Sequence, residues 1–232
     1  MEIWVCLALG WFLGGLAVLL AMFFCILLVK EDKEWEKDKE AAEFVEQCLL
    51  TVKKTLRGLV FTDFGNPYLF AAALVMSIFL EGYLFVNGTP GIIVIMIAFF
   101  LLTEAIVDNT TEILPDTLTI VSGCLFLAHG INLGLDYRMM LPCAGILCLL
   151  YLVLYIWGKG RGDMKLLGVM TIGAGPVFAI MTICAAFIFL GASSLVSQNR
   201  GEKALAPFLC LGAILSMIFE RLANEWLFLE MI

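Results

Sequence analysis

Apolar residues recur along this chain in long, nearly unbroken runs, interrupted by short polar stretches. Seven runs stand out, at roughly 3–29, 68–86, 91–107, 118–135, 140–157, 165–191 and 204–222. A helix needs about 17–25 apolar residues to cross the hydrocarbon layer of a bilayer. The pattern predicts an all-α fold, a polytopic transmembrane helix bundle of about seven spans.

One polar interval is large. Residues 30–67 begin KEDKEWEKDKEAAEFVEQCLLTVKKTLRGLV, where acids and lysines stand three or four apart (Glu36 with Lys39), as a solvated helix requires. From Phe44 onward, Val45, Cys48, Leu49, Val52, Leu56 and Leu59 recur at helical spacing with Lys53, Lys54 and Arg57 between them. That stretch is expected to lie along the inner membrane surface as an amphipathic cytoplasmic helix. The chain accordingly divides into residues 1–67, an anchor with its helical loop, and residues 68–232, a membrane bundle. The first run is acidic at its start (Glu2), long, and followed directly by Lys30, which reads as an uncleaved anchor and not a signal peptide.

Composition agrees with the pattern: 62% of residues are hydrophobic and 15% charged. Soluble domains are about half apolar and about a quarter charged, and one core of this size cannot bury the excess. The lipid bilayer is the implied partner. The formal net charge of −7, with eight acids and four lysines between Lys30 and Glu46, leaves no basic stripe for nucleic acid. Eight scattered cysteines form no CxxC pair and read as small hydrophobes. His129 is the single histidine, so a histidine metal site is excluded and a hydrogen-bonded interior imidazole is expected. No cofactor and no metal are indicated.

Basic residues gather in cytoplasmic loops. With seven spans, eleven of the 14 fall on one side, and only Arg138, Arg200 and Lys203 on the other. That split expects the amino terminus outside and the carboxyl terminus in the cytoplasm.

Two junctions on the cytoplasmic side carry chemistry. One runs from Asp108 through Glu112 to Pro115-Asp116-Thr117-Leu118-Thr119; the other is Gly158-Lys159-Gly160-Arg161-Gly162-Asp163-Met164-Lys165. An acid at a membrane boundary is costly to ionise, and a second carboxylate nearby raises one of the two pKa values further. Two such acids can share a proton, one activating water while the other protonates a carbonyl oxygen, as the aspartic proteases do. Gly160 and Gly162 would let a substrate strand approach the backbone, with positive φ available. Pro115 would stiffen the loop and end a helix running from Asp108. Glu104, four residues before Asp108, is positioned either to perturb it or to pair with a polar neighbour.

The spelling of these junctions narrows the reading. DNTTEILPDTLT resembles the bacterial prepilin peptidases (type IV leader peptidases), in which an Asp stands eight residues before the Asp of a Leu-Pro-Asp-x-Leu-Thr stretch. GRGDMKLL is similar to their Gly-x-Gly-Asp-x-Lys-Leu signature, and Ala206-Pro207-Phe208-Leu209-Cys210-Leu211-Gly212-Ala213 resembles their Pro-Phe-Leu-Ala-Leu-Gly-Ala segment. The resemblance implies an intramembrane-type aspartic endopeptidase that removes the basic leader from pilin-like or pseudopilin precursors at the bacterial cytoplasmic membrane. It implies Asp108 and Asp163 as the catalytic pair, with Gly160, Gly162, Lys165, Asp116 and Pro115 in support. Asp116 would cap the helix beginning near Thr117. Lys165 would orient Asp163, hold a substrate carbonyl, or simply snorkel at the boundary. The zinc-binding cysteine pairs of the bifunctional members are missing, since the 30–67 loop holds only Cys48, so N-methyltransferase activity is not expected.

Two rivals remain in view. A presenilin-like protease would show Tyr-Asp and Pro-Ala-Leu, whereas Val107 precedes Asp108 and no Pro-Ala-Leu occurs. A non-catalytic transporter or assembly protein could use the same acids to bind a cation or proton, but the duplicated halves common in transporters are not visible.

Overall fold

The structure, a computed structural model, describes residues 3–31, 67–111, 114–135, 145, 149, 151–152, 161–196 and 205–229. The regular structure among them is helical: α1 (Ile3–Glu31), α2 (Pro67–Asn87), α3 (Ile92–Thr111), α4 (Asp116–Asn132), α5 (Arg161–Ala174), α6 (Pro176–Val196) and α7 (Ala206–Leu229). The all-α expectation holds. Among the described residues four helices are long and apolar enough to cross a membrane, over Ile3–Leu28, Phe70–Asn87, Ile92–Asn109 and Pro176–Ser193. Large apolar side chains on their outer faces, such as Phe12, Phe85, Ile92 and Ile188, are exposed as lipid-facing residues would be. The expected helical loop over 30–67, apart from the end of α1 and the start of α2, lies outside the described residues. So does most of the fifth expected span.

Helix boundaries follow local chemistry. Proline opens α2 and α6 at Pro67 and Pro176, first-turn positions where its missing N–H loses no helical bond. Pro115, at φ −65° and ψ 129°, stands directly before α4 and holds the chain extended there. Its carbonyl accepts the Thr119 N–H at 3.2 Å and so begins the new helix.

Small residues set how closely the helices pack. A Cβ at Gly14 would lie 2.6 Å from the Ala73 backbone nitrogen, and one at Gly10 would collide with Ser77. This Gly-x-x-x-Gly stripe presses α1 against α2 in antiparallel fashion. On the other side, a Cβ at Gly212 would sit 2.5 Å from the Thr182 carbonyl oxygen and 3.0 Å from the Ala186 nitrogen. Thr182 also faces Ser216, so α6 and α7 are antiparallel. By contrast α4 and α5 run in the same direction, because Asp116 meets Lys165, Gly123 meets Val169 and Phe126 meets Gly173. Between these helices Cys6, Cys25 and Cys210 are buried among apolar side chains, as small hydrophobes.

The sixth expected span, 165–191, is not one helix. Gly175 adopts φ 94°, a left-handed conformation that glycine tolerates, and Pro176 cannot donate the next helical hydrogen bond. The chain therefore breaks there. α5, with 14 residues and a length of about 21 Å, runs away from its start at Arg161, and α6 runs back.

This break corrects the expected direction of everything after it. Asp163, at the start of α5, contacts Ala206, the first residue of α7. The other end of α7 meets the far ends of α4 and α2: His129 bonds Glu220 at 2.8 Å, and Asn87 donates to the Ile218 carbonyl at 2.8 Å. So α7 begins at the end of the bundle that holds Asp163 and leads away from it. The described end of α7 thus lies at the opposite end of the bundle from Asp108 and Asp163, whereas the seven-span reading expects it on their side. Ile3 and the end of α7 share the opposite side.

Candidate functional site

The site is assembled at one end of the bundle, where α3 ends and α4, α5 and α7 begin. Asp108 lies in the last turns of α3 and is buried, 6% exposed. Asp163 lies in the first turn of α5, ahead of its apolar part, and is half-buried. The two carboxylates, 55 positions apart in the sequence, interact electrostatically.

Burial pushes the Asp163 carboxyl up, and the neighbouring Asp108 charge pushes it further. The Ala206 backbone N–H donates to it and pulls the other way; the balance leaves it raised from an ordinary 3.8 to about 6. That donor exists because the first N–H groups of α7 have no partner within their own helix. The α5 N-terminus, from which Asp163 itself projects, also favours negative charge. Asp163 is thus held where it can carry or release a proton near neutrality.

Behind this pair lies a third carboxyl. Glu104, fully buried on α3, accepts a 2.7 Å hydrogen bond from the Ser122 hydroxyl of α4 at Oε1. This is the polar-neighbour alternative raised for it from the sequence. The Cys210 thiol of α7 is within electrostatic reach of Glu104, Asp108 and Asp163, so one buried side chain touches the field of all three acids.

The supporting residues are placed differently from expectation. Asp116 is the first residue of α4, not a cap for a helix starting at Thr117, and no side chain caps that helix end. Its carboxylate instead pairs with Lys165 at 2.6 Å on the exposed surface. This pair joins the Leu-Pro-Asp segment to the start of α5. Gly162 is helical, and a Cβ there would meet Leu114 at 3.1 Å. Its bareness serves the fit of α5 against the Leu114–Pro115 segment, not a positive φ. Gly160 lies outside the described residues.

A groove of about 520 Å³ runs between α4 and α5, lined by residues that include Ile120, Tyr151, Met164, Gly168 and Ile172. It follows the face of α5 opposite Asp163, whose own face carries buried Leu166, Leu167 and Met170. It is not part of the carboxylate site.

At the far end of the bundle His129 is buried and bonded to Glu220, which fulfils the expectation of a hydrogen-bonded interior imidazole. Asn87, part of a glycosylation-like Asn-Gly-Thr sequence, spends its amide N–H on α7. Sequence reasoning missed Ala206 as a donor to Asp163, Ser122 as the partner of Glu104, and Glu220 as the partner of His129. Each is a long-range pairing with no signal in local spacing.

Comparison with known proteins adds a family. The model of the type IV leader peptidase family matches residues 94–195, a stretch that contains Asp108, Pro115, Asp116, Gly162, Asp163 and Lys165. No curated protein and no solved structure matches the chain. The family supports a peptidase, hence hydrolase, activity. Over residues 94–195 the chain is similar to the type IV leader peptidase family.

Proposed function

We propose that this protein is an aspartic endopeptidase that removes the basic leader from type IV pilin-like or pseudopilin precursors at the cytoplasmic face of a bacterial inner membrane. The observation that carries the reading is the electrostatic meeting of Asp108 and Asp163 at one end of the bundle, with Asp163 raised to about 6. Two coupled carboxyls hold one proton between them and titrate as a unit. Burial and the charge of Asp108 keep the shared proton on Asp163, so Asp108 takes the proton from the attacking water. Asp163 then gives its proton to the scissile carbonyl oxygen, and the tetrahedral intermediate collapses as the leaving amine is protonated.

The topology suits that face. With the chain reversed at Gly175, Arg200 and Lys203 fall between helix ends on the carboxylate side and Arg221 moves to the other side. Twelve of the 14 basic residues then share the side of the two acids, against Arg138 and Arg221. The carboxylate end is accordingly assigned to the cytoplasm, with both ends of the bundle's chain on the outer side.

The test is cleavage of a pilin-like precursor by the full chain in lipid nanodiscs, with the new amino terminus read by mass spectrometry. Asp108→Asn and Asp163→Asn should each abolish cleavage alone, because the pair acts as one device. Undiminished cleavage by either variant refutes the assignment.

A further inference from the structure

Glu104 is a fully buried acid that the pair's chemistry does not use. Its Oε1 is taken by Ser122 at 2.7 Å, while its Oε2 has no hydrogen-bond partner among the described residues. Stability alone does not ask for such a group, since an apolar residue of similar volume commonly serves as well as a buried ion or polar pair. Its place explains it better. Glu104 stands four residues before Asp108, one helical turn or about 6 Å deeper along the same face of α3. Asp108 itself occupies the end of α3, where the final carbonyls lack helical partners and helices fray. Ser122 belongs to α4, which begins immediately beyond the Leu114–Pro115 corner that follows. The hydrogen bond between them therefore fastens α3 to α4 just behind the catalytic carboxyl, across the corner that joins the two helices.

We propose that Glu104 is the positioning residue of Asp108: through Ser122 it locks the last turn of α3 so that the Asp108 carboxyl meets Asp163. The proposal rests on the peptidase reading. It treats Glu104 as a hydrogen-bond acceptor in a tether, so glutamine, which keeps a carbonyl oxygen, should replace it and alanine should not.

The experiment uses the full chain in nanodiscs with a pilin-like precursor, measuring kcat and KM for Glu104→Ala, Glu104→Gln, Ser122→Ala and the Glu104→Ala/Ser122→Ala double variant. A misplacement of reacting groups by about 1 Å costs on the order of a hundredfold in rate, so Glu104→Ala should lower kcat by about that factor with KM little changed. Glu104→Gln should recover most of the lost kcat. Ser122→Ala should lower kcat in the same sense, and the double variant should be no worse than Glu104→Ala, as for two residues in one interaction. An unchanged kcat in Glu104→Ala, a Glu104→Gln variant as slow as Glu104→Ala, or additive losses in the double variant would each overturn the tether. If Glu104→Ala does not fold, the milder Ser122→Ala decides alone, and an unchanged kcat there defeats the proposal. A wild-type chain that cleaves no precursor removes the peptidase reading and the tether together. Cleavage lost in Asp108→Asn but intact in Glu104→Ala removes only the tether.

Discussion

The carboxylate of Asp163 accepts a hydrogen bond from the backbone N–H of Ala206, the first residue of the last helix. The bond ties the start of α5 to the start of α7 and gives one acid of the pair a fixed donor. Asp108, across from it, has no say in that contact yet shares its field. The geometry makes the site depend on where α7 begins.

The first prediction concerns pH. Burial and the Asp108 charge hold Asp163 up to about 6 from an ordinary 3.8. A carboxyl raised on folding keeps its proton in the folded state while the unfolded chain has lost it, so stability falls as pH rises through that window. Asp163→Asn removes the penalty. The variant should melt at the same temperature as wild type near pH 4 and at a higher one near pH 7.5, by thermal denaturation in one detergent. An equal or lower Tm near pH 7.5 would mean that Asp163 is not held as described. Cleavage by the wild type should decline as the pH rises above about 6, where the pair loses the one proton it shares.

A second prediction addresses the far end of the bundle. His129 and Glu220, 5% and 7% exposed and 2.8 Å apart, join α4 to α7. Removing either partner strands the other in a buried place, at a cost of about 1–3 kcal/mol. His129→Ala and Glu220→Ala should each destabilise the chain, with strongly non-additive losses in the double variant. Precursor cleavage per folded molecule should change little, because the site is at the opposite end. Additive losses would show that the two side chains do not depend on each other.

Helix contact at Gly212 gives a third. A Cβ there would press on the Thr182 carbonyl at 2.5 Å, which is backbone and cannot swing aside. Gly212→Val should force α6 and α7 apart, lowering stability by about 1–3 kcal/mol as overpacked sites do. Cleavage should fall more than stability, since α7 also carries Ala206. A variant with wild-type Tm and rate would show that the two helices have slack between them.

The fourth tests direction. With α7 leading away from the carboxylate end, a reporter fused after Ile232 should be active as alkaline phosphatase and dark as green fluorescent protein in a bacterial host. The same reporters placed between Val196 and Ala206 should behave in the opposite way. A fluorescent carboxyl-terminal fusion would restore the seven-span topology.

The helical, membrane-embedded character of the chain was settled by the sequence alone, because a run of apolar residues long enough to cross a bilayer has one stable conformation there, whatever its neighbours. The motifs around Asp108 and Asp163 were equally legible, since backbone constraints and boundary acids are local properties. What hydropathy could not separate was α5 from α6. Gly175 and Pro176 are as compatible with an apolar profile as with a break, although 27 residues over 165–191 exceed what one crossing needs, and that excess was the available signal. Only the packed structure decided that the chain reverses there, that Lys165 answers Asp116, and that Glu104, His129 and Asp163 find Ser122, Glu220 and Ala206. Such pairings join residues distant in the chain through the directions of whole helices, and one left-handed glycine changes those directions for everything that follows it.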